Sequence, residues 1–96
     1  MKKALSLIAT IALSFGAFTA QADGGAMYNS LGCVGCHGSN GAGGPAAPKL
    51  AGKDAAYLVK QLKDYQSGAR VNATMNAMSQ MAKGHEQAIA DFLSKQ

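Results

Sequence analysis

Two cysteines and a histidine stand together in the run Cys33-Val34-Gly35-Cys36-His37. Two thiols separated by two residues, with an imidazole directly after them, form the C-x-x-C-H pattern of haem attachment. Each thiol can add to one of two neighbouring vinyl groups of a porphyrin, and this spacing lets both reach the same edge. The spacing therefore predicts one covalently bound haem c, with Cys33 and Cys36 as its thioether attachments and His37 as an axial ligand of the iron.

Three other uses of these side chains compete with haem attachment. A disulfide between Cys33 and Cys36 is chemically allowed in an oxidising compartment. A thioredoxin-type redox motif requires a βαβ context, and the sequence has no alternating strand pattern longer than three residues. A structural zinc ion could use both cysteines with His37 and His85, but these histidines lack the close spacing of zinc-binding pairs.

The elements that must position the motif are helices, so the predicted fold class is all-α. Apolar residues at helical spacing predict three helices, over residues 24–31, 55–67 and 84–95. Asp23 and Asp54 are suitable N-caps for the first two helices, and Gly68 is a suitable end for the second. The Gly-rich residues 32–44 are predicted to be loop, and residues 69–82 to be mostly irregular with room for one helical turn.

The first 22 residues have the features of a cleaved signal peptide. Lys2 and Lys3 precede a mostly apolar run over residues 5–18, and Ala20-Gln21-Ala22 is a small-x-small cleavage site. An uncleaved membrane anchor is the alternative, but the apolar run is shorter than the ~20 residues that a spanning helix needs. We therefore expect a signal peptide over residues 1–22 and one domain over residues 23–96, exported to a bacterial periplasm and not membrane-spanning.

Composition limits the function of residues 23–96. The net charge of the full chain is +4, and it falls when Lys2 and Lys3 leave with the signal. The remaining basic residues are scattered without interleaved aromatics, which argues against a nucleic-acid partner. A chain of 96 residues with 12 glycines and no tryptophan is too small for a multidomain enzyme. Such small domains usually need a disulfide, a metal or a cofactor to complete their core.

Over residues 23–95 the chain resembles the small monohaem class I cytochromes c of bacteria. The resemblance rests on five features, which are Gly24 with Tyr28, the run from Gly32 to Gly38 around the haem motif, Pro48-Lys49-Leu50-Ala51-Gly52, a methionine-rich loop, and Ala90-Asp91-Phe92-Leu93-Ser94-Lys95. It implies three main helices around one haem, with the first and last helices crossing at right angles. Gly24 and Tyr28 would then face Ile89 and Phe92.

The resemblance also implies further site residues. In this family a proline carbonyl accepts a hydrogen bond from the ring N–H of the proximal histidine that faces away from the iron. Pro48 suits this role because Leu50 follows it in the family's Pro-x-Leu arrangement, with Leu50 packing on the haem. Pro45 is the alternative.

In such proteins a methionine thioether is the sixth ligand of the haem iron, and the methionine-rich loop contains three candidates. Met75 is the first choice because Thr74 precedes it and Asn76-Ala77 follow it, as at the family's ligand. Met78 is the second choice, and Met81 is expected to anchor the start of the last helix in the core. The family's capping residues at that helix are replaced here by Lys83-Gly84-His85-Glu86. His85 could serve as a distal ligand, but an exposed first-turn histidine is the simpler expectation.

The function implied is one-electron transfer between periplasmic redox partner proteins, by a monomer that is not an enzyme. Iron held by His37 and a methionine has no open position for oxygen or peroxide, and scattered lysines could steer acidic partners. A haem-based sensor or small peroxidase with a labile sixth ligand is one alternative. A disulfide-stapled binding module without cofactor is another.

Overall fold

The computed structural model describes residues 23–96, so the predicted signal peptide over residues 1–22 lies outside the described residues. Within these residues, five α-helices and one 3-10 turn follow one another: α1 Asp23–Ser30, α2 Cys33–His37, the 3-10 turn Ser39–Gly41, α3 Ala55–Ser67, α4 Ala73–Met81 and α5 Glu86–Ser94. No strand occurs over residues 23–96, and the predicted all-α class is confirmed. None of the helices described is both long enough and apolar enough to cross a membrane.

Helix α3 has the bounds that its caps predict. The side chain of Asp54 accepts a hydrogen bond from the backbone N–H of Tyr57 at 3.2 Å, and Gly68 ends the helix in the left-handed conformation. Helix α1 begins one residue earlier than predicted, at Asp23, whose side chain is not described. Helix α5 is shorter than predicted at both ends, with His85 at its N-cap position.

The prediction that residues 69–82 are mostly irregular is wrong. Helix α4 fills most of this segment, and the Oδ1 atom of Asn72 accepts from the backbone N–H of Met75 at 2.9 Å. Asparagine is unfavourable inside a helix but strongly favoured at an N-cap, because its side chain satisfies an unpaired N–H of the first turn. Asn72 therefore starts the helix rather than interrupting it.

The Gly-rich residues 32–44 are also not wholly loop, since they contain α2 and the 3-10 turn. Gly35 lies inside α2 and lowers its intrinsic helix propensity by about 1 kcal/mol relative to alanine. Cys33 and Val34, in the same helix, pack against the buried core of the protein. This tertiary contact outweighs the local preference of glycine for loops.

The core is a small cluster shared by α1, α3, α5 and the turn after α4. Its buried members are Tyr28, Leu58, Ala82, Ile89, Ala90 and Leu93. The predicted contact between α1 and α5 is confirmed. A Cβ on Gly24 would lie 2.2 Å from the carbonyl oxygen of Ala88, and the rings of Tyr28 and Phe92 are 5.9 Å apart at their centroids. Only glycine allows the two backbones to approach this closely.

Met81 does not anchor α5 in the core, as the sequence led us to expect. Its side chain is 50% exposed, whereas Ser79, two residues before it, and Ala82, directly after it, are buried. Successive residues of an α-helix are separated by about 100°, so Met81 points about 200° away from Ser79. Because α4 continues to residue 81, the core-facing position falls to Ala82 instead.

Candidate functional site

Helix α2 places its two thiols on one side. Cys33 and Cys36 are the first and fourth residues of a five-residue helix, and residues three apart are neighbours on a helix surface. Cys33 is half-buried, Cys36 is exposed, and both are free thiols. Burial raises the pKa of the Cys33 thiol. Two thiols on one edge, with Cys36 open to the outside, can both be reached by one flat ligand.

His37 ends α2 and is 8% exposed. Its Nδ1 atom lies 2.9 Å from the carbonyl oxygen of Pro48. A carbonyl oxygen can only accept a hydrogen bond, so Nδ1 must carry the proton. In the neutral ring the Nε2 atom then keeps its lone pair, which is the state required of a metal ligand.

The loop after α2 determines which proline carbonyl reaches His37. The backbone N–H of Gly43 donates to the carbonyl oxygen of His37 at 2.6 Å, which folds the loop back on the helix. Gly43 has a φ of +89°, and a Cβ there would lie 2.8 Å from the backbone nitrogen of Lys49. Both observations require glycine at this position. This path brings the carbonyl of Pro48 to the imidazole, while Pro45 lies at the exposed bend of the loop.

Leu50 closes the same loop from the other end. Its backbone N–H and that of Ala51 donate to the carbonyl oxygen of Gly41 at 2.8 and 2.9 Å. The side chain of Leu50 is half-buried and packs against the core cluster. The loop from the end of α2 to Leu50 is therefore held at both ends by backbone hydrogen bonds.

Tyr28 has a role in the site that the sequence analysis did not assign. Its hydroxyl donates to the carbonyl oxygen of Gly38 at 2.6 Å, which is the residue directly after His37. The side chain is 1% exposed, and burial raises its pKa above the ordinary value of 10.0. A buried tyrosine needs a partner for its hydroxyl. The presence of tyrosine rather than phenylalanine in the apolar stripe of α1 was the available signal.

The methionines of α4 differ in their surroundings. Met75 and Met78 are half-buried, on the same side of the helix because they are three residues apart. Among residues 23–96, neither belongs to the set of half-buried apolar side chains that pack against the core cluster. The Cε atom of Met78 lies 3.7 Å from the position of a Cβ on Gly32, the residue before α2. Helix α4 thus brings the thioether of Met78 close to the residue before α2.

These residues fit a covalently bound haem. Two thiols lie one helical turn apart, and the imidazole that follows them donates from Nδ1 to the Pro48 carbonyl, which leaves Nε2 as the nitrogen available to a metal. The Met78 thioether of α4 lies near the residue before α2. Nowhere in residues 23–96 do three or more His, Cys, Asp or Glu side chains gather in a way that could hold a metal ion. His85 is exposed at the N-cap position of α5.

One of the three comparisons with known proteins returned a match. The family model described as cytochrome c matches residues 21–96, which is most of the chain. The search of curated proteins and the search of solved structures each returned no match. On the strength of the family match, and of a helical fold that presents the cysteines and histidine of the haem motif together, the chain belongs to the cytochrome c family.

Proposed function

We propose that this protein is a one-electron carrier with one haem c, bound through Cys33 and Cys36 and ligated by His37 and Met75. Membership of the cytochrome c family implies haem-based electron transfer. The observation that carries the finer proposal is the 2.9 Å contact between Nδ1 of His37 and the carbonyl oxygen of Pro48. It engages Nδ1 as a donor, makes Nε2 the nitrogen available to the iron and fixes the plane of the ring, which a proximal iron ligand requires.

The protein's own residues set the properties of the bound group, which supplies a reversible one-electron change at iron. The carbonyl of Pro48 accepts a hydrogen bond from Nδ1–H of His37, which makes the ring a more basic ligand. The thioether of Met75 would hold the iron together with His37 and would leave no position open for oxygen or peroxide. A soft thioether in an apolar pocket favours the reduced state. We therefore expect a positive midpoint potential, with Leu50 helping to exclude water.

Met75 is preferred to Met78 because of its position in the first turn of α4. Its backbone N–H is held by the side chain of Asn72, so this part of the helix has a defined start. Met78 is the second choice, and its contact with the Gly32 region is the observation in its favour.

The place of action that we propose is the bacterial periplasm. The charged and apolar pattern of residues 1–22 supports export and cleavage after Ala22, which leaves residues 23–96 as one class I cytochrome c domain. The proposed partners are periplasmic or membrane-bound oxidoreductases that a monomer contacts transiently. The mass of protein isolated from a periplasmic extract tests this, since cleavage at the proposed site gives a chain that starts at Asp23.

The visible spectrum tests the assignment directly. Oxidised protein with methionine ligation should show a weak far-red charge-transfer band, and the pyridine haemochrome of the denatured protein should be of the c type. The reduced protein should bind carbon monoxide only weakly at neutral pH. Ready binding would favour a haem-based sensor or small peroxidase with a labile sixth ligand. A spectrum without any c-type band would favour a disulfide-stapled module.

A further inference from the structure

The side chain of Asn76, which follows Met75 in α4, forms hydrogen bonds with backbone groups of neighbouring segments. Its Nδ2 group donates to the carbonyl oxygen of Tyr65 at 2.8 Å and to that of Arg70 at 2.9 Å. Its Oδ1 atom accepts from the backbone N–H of Asn72 at 2.9 Å. The half-buried amide therefore uses both of its N–H donors and its oxygen.

These three partners belong to three different segments. Tyr65 lies in the last turn of α3, where backbone carbonyls lack partners inside the helix. Arg70 lies in the connection between α3 and α4, and Asn72 is the N-cap of α4. Asn72 in turn holds the backbone N–H of Met75. One side chain thus joins the end of α3, the connection and the turn of α4 that carries Met75.

Helix α4 has little apolar burial to hold it in place. Within α4, all of whose residues the structure describes, Ser79 is the one fully buried residue. Hydrogen bonds also join α4 to α3, since Gln66 donates to the carbonyl oxygen of Ser79 at 2.9 Å and Gln80 donates to that of Gln66 at 3.0 Å. At the N-terminal end of α4, the hydrogen bonds of Asn76 join the helix to the end of α3 and to the connection. Asn76 directly follows Met75 in the sequence, whereas Gln80 lies near the other end of α4.

We propose that Asn76 is a positioning residue for iron ligation by Met75. The inference rests on the proposed function, because it assumes that the Met75 thioether binds the iron. Removing the amide releases the carbonyls of Tyr65 and Arg70 and frees the first turns of α4 to shift. The thioether then holds the iron less firmly, and an external ligand competes with it more easily.

The test compares two amide side chains of the same helix in the haem-loaded protein. Gln80→Ala is the matched control, because Gln80 also donates from one Nε2 group to two carbonyl oxygens, those of Gln66 and Asn76. In the reduced protein, Asn76→Ala should raise the affinity for carbon monoxide about tenfold, which corresponds to 1.4 kcal/mol. Gln80→Ala should raise it less than about threefold. The far-red band of the oxidised protein should weaken only in Asn76→Ala.

A second variant covers the case in which Asn76→Ala does not fold. Asn76→Asp has nearly the same shape and keeps the acceptor, but its carboxylate cannot donate to either carbonyl at neutral pH. Like Asn76→Ala, it should raise the carbon monoxide affinity of the reduced protein. Urea unfolding of each variant separates positioning from general stability. If Asn76 were merely structural, its replacement would lower the unfolding free energy and leave the carbon monoxide affinity unchanged.

Two results would overturn the positioning role. One is a carbon monoxide affinity in Asn76→Ala and Asn76→Asp equal to that of the unmodified protein. The other is an equal rise in Gln80→Ala. Failure of the proposed function looks different, because the unmodified protein would then lack the far-red band or bind carbon monoxide readily before any substitution is made.

Discussion

The imidazole of His37 is constrained from two directions. Its Nδ1 donates to the carbonyl of Pro48. The carbonyl of the next residue, Gly38, accepts a hydrogen bond from the hydroxyl of Tyr28. The first contact orients the ring, and the second fixes the backbone that carries it. A ligand held in this way changes its position little when the charge of its metal changes, which suits a protein that gains and loses an electron repeatedly.

At the residue scale, alanine substitutions distinguish the two candidate methionines. We expect Met75→Ala to abolish the far-red band of the oxidised protein and to allow carbon monoxide binding in the reduced state, because the thioether no longer fills the sixth position. Met78→Ala should keep the band. Visible spectroscopy of both variants is the measurement, with Met81→Ala as a control because that side chain is 50% exposed. Loss of the band in Met78→Ala alone would move the ligand role to Met78.

At the element scale, the fold depends on the close approach of α1 and α5. Gly24→Ala would place a Cβ 2.2 Å from the carbonyl oxygen of Ala88, and backbone atoms cannot move aside as a side chain can. We expect the unfolding free energy of the haem-loaded protein to fall by about 3 kcal/mol, at the upper end of the usual cost of overpacking. Urea denaturation measures this change.

Gly25→Ala is the control for this prediction. Its Cβ would meet only the ring of Phe92, at 2.9 Å, and a ring can rotate. Alanine also has the higher helix propensity, so the unfolding free energy should change by less than about 1 kcal/mol. Equal losses in the two variants would mean that the α1 and α5 backbones do not approach as closely as described.

The start of α5 should make stability depend on pH. Burial by itself would raise the pKa of Glu86, but hydrogen bonds from Gln66 and the backbone N–H of Gly84, together with the charge of Lys63, lower it below 4.5. A pKa lowered by folding contributes stability above the unfolded-state pKa and loses it as the pH falls through the folded-state pKa. We expect the unfolding free energy to decrease as the pH drops below about 4.5.

Glu86→Gln isolates this contribution, because glutamine keeps the size of the side chain but has no carboxylate to protonate. Urea unfolding over a range of acid pH values should show a smaller decrease in this variant than in the unmodified protein. Parallel pH profiles for the two proteins would contradict the assigned role of Glu86.

At the scale of the whole molecule, the protein supplies little of its own core. The fully buried apolar residues in the described part of the chain are Tyr28, Leu58, Ala82, Ile89, Ala90 and Leu93, two of which are alanines. Domains this small usually depend on a disulfide, a metal or a cofactor. The haem would complete the core between α2 and the methionines of α4.

Without its haem the protein should therefore be largely unfolded. The double variant Cys33→Ala, Cys36→Ala removes both attachment points, and we expect it to lose most of its helical signal in far-UV circular dichroism at neutral pH. The haem-loaded protein is the reference. Native-like helicity in the double variant would show that the protein core alone suffices to hold the fold.

Sequence alone determined the features that depend on neighbouring residues. The C-x-x-C-H spacing indicates haem attachment, because the thiols and the imidazole must lie on one short segment. The caps Asp54 and Gly68 predicted the bounds of α3 correctly, because capping is a local hydrogen-bonding preference. The contact of Gly24 with α5 was also predicted, from the resemblance to the family together with the absence of a side chain at Gly24.

Only the tertiary structure decided the features that depend on distant contacts. Helix α2 forms in a Gly-rich segment because Cys33 and Val34 pack against the core, and the extent of α4 turns Met81 outward. The path of the loop through Gly43 brings the carbonyl of Pro48 to His37, a contact that the sequence analysis expected only from the resemblance to the family and not from a local pattern. Burial and long-range hydrogen bonds contribute free energies as large as local propensities, so local patterns cannot predict these outcomes.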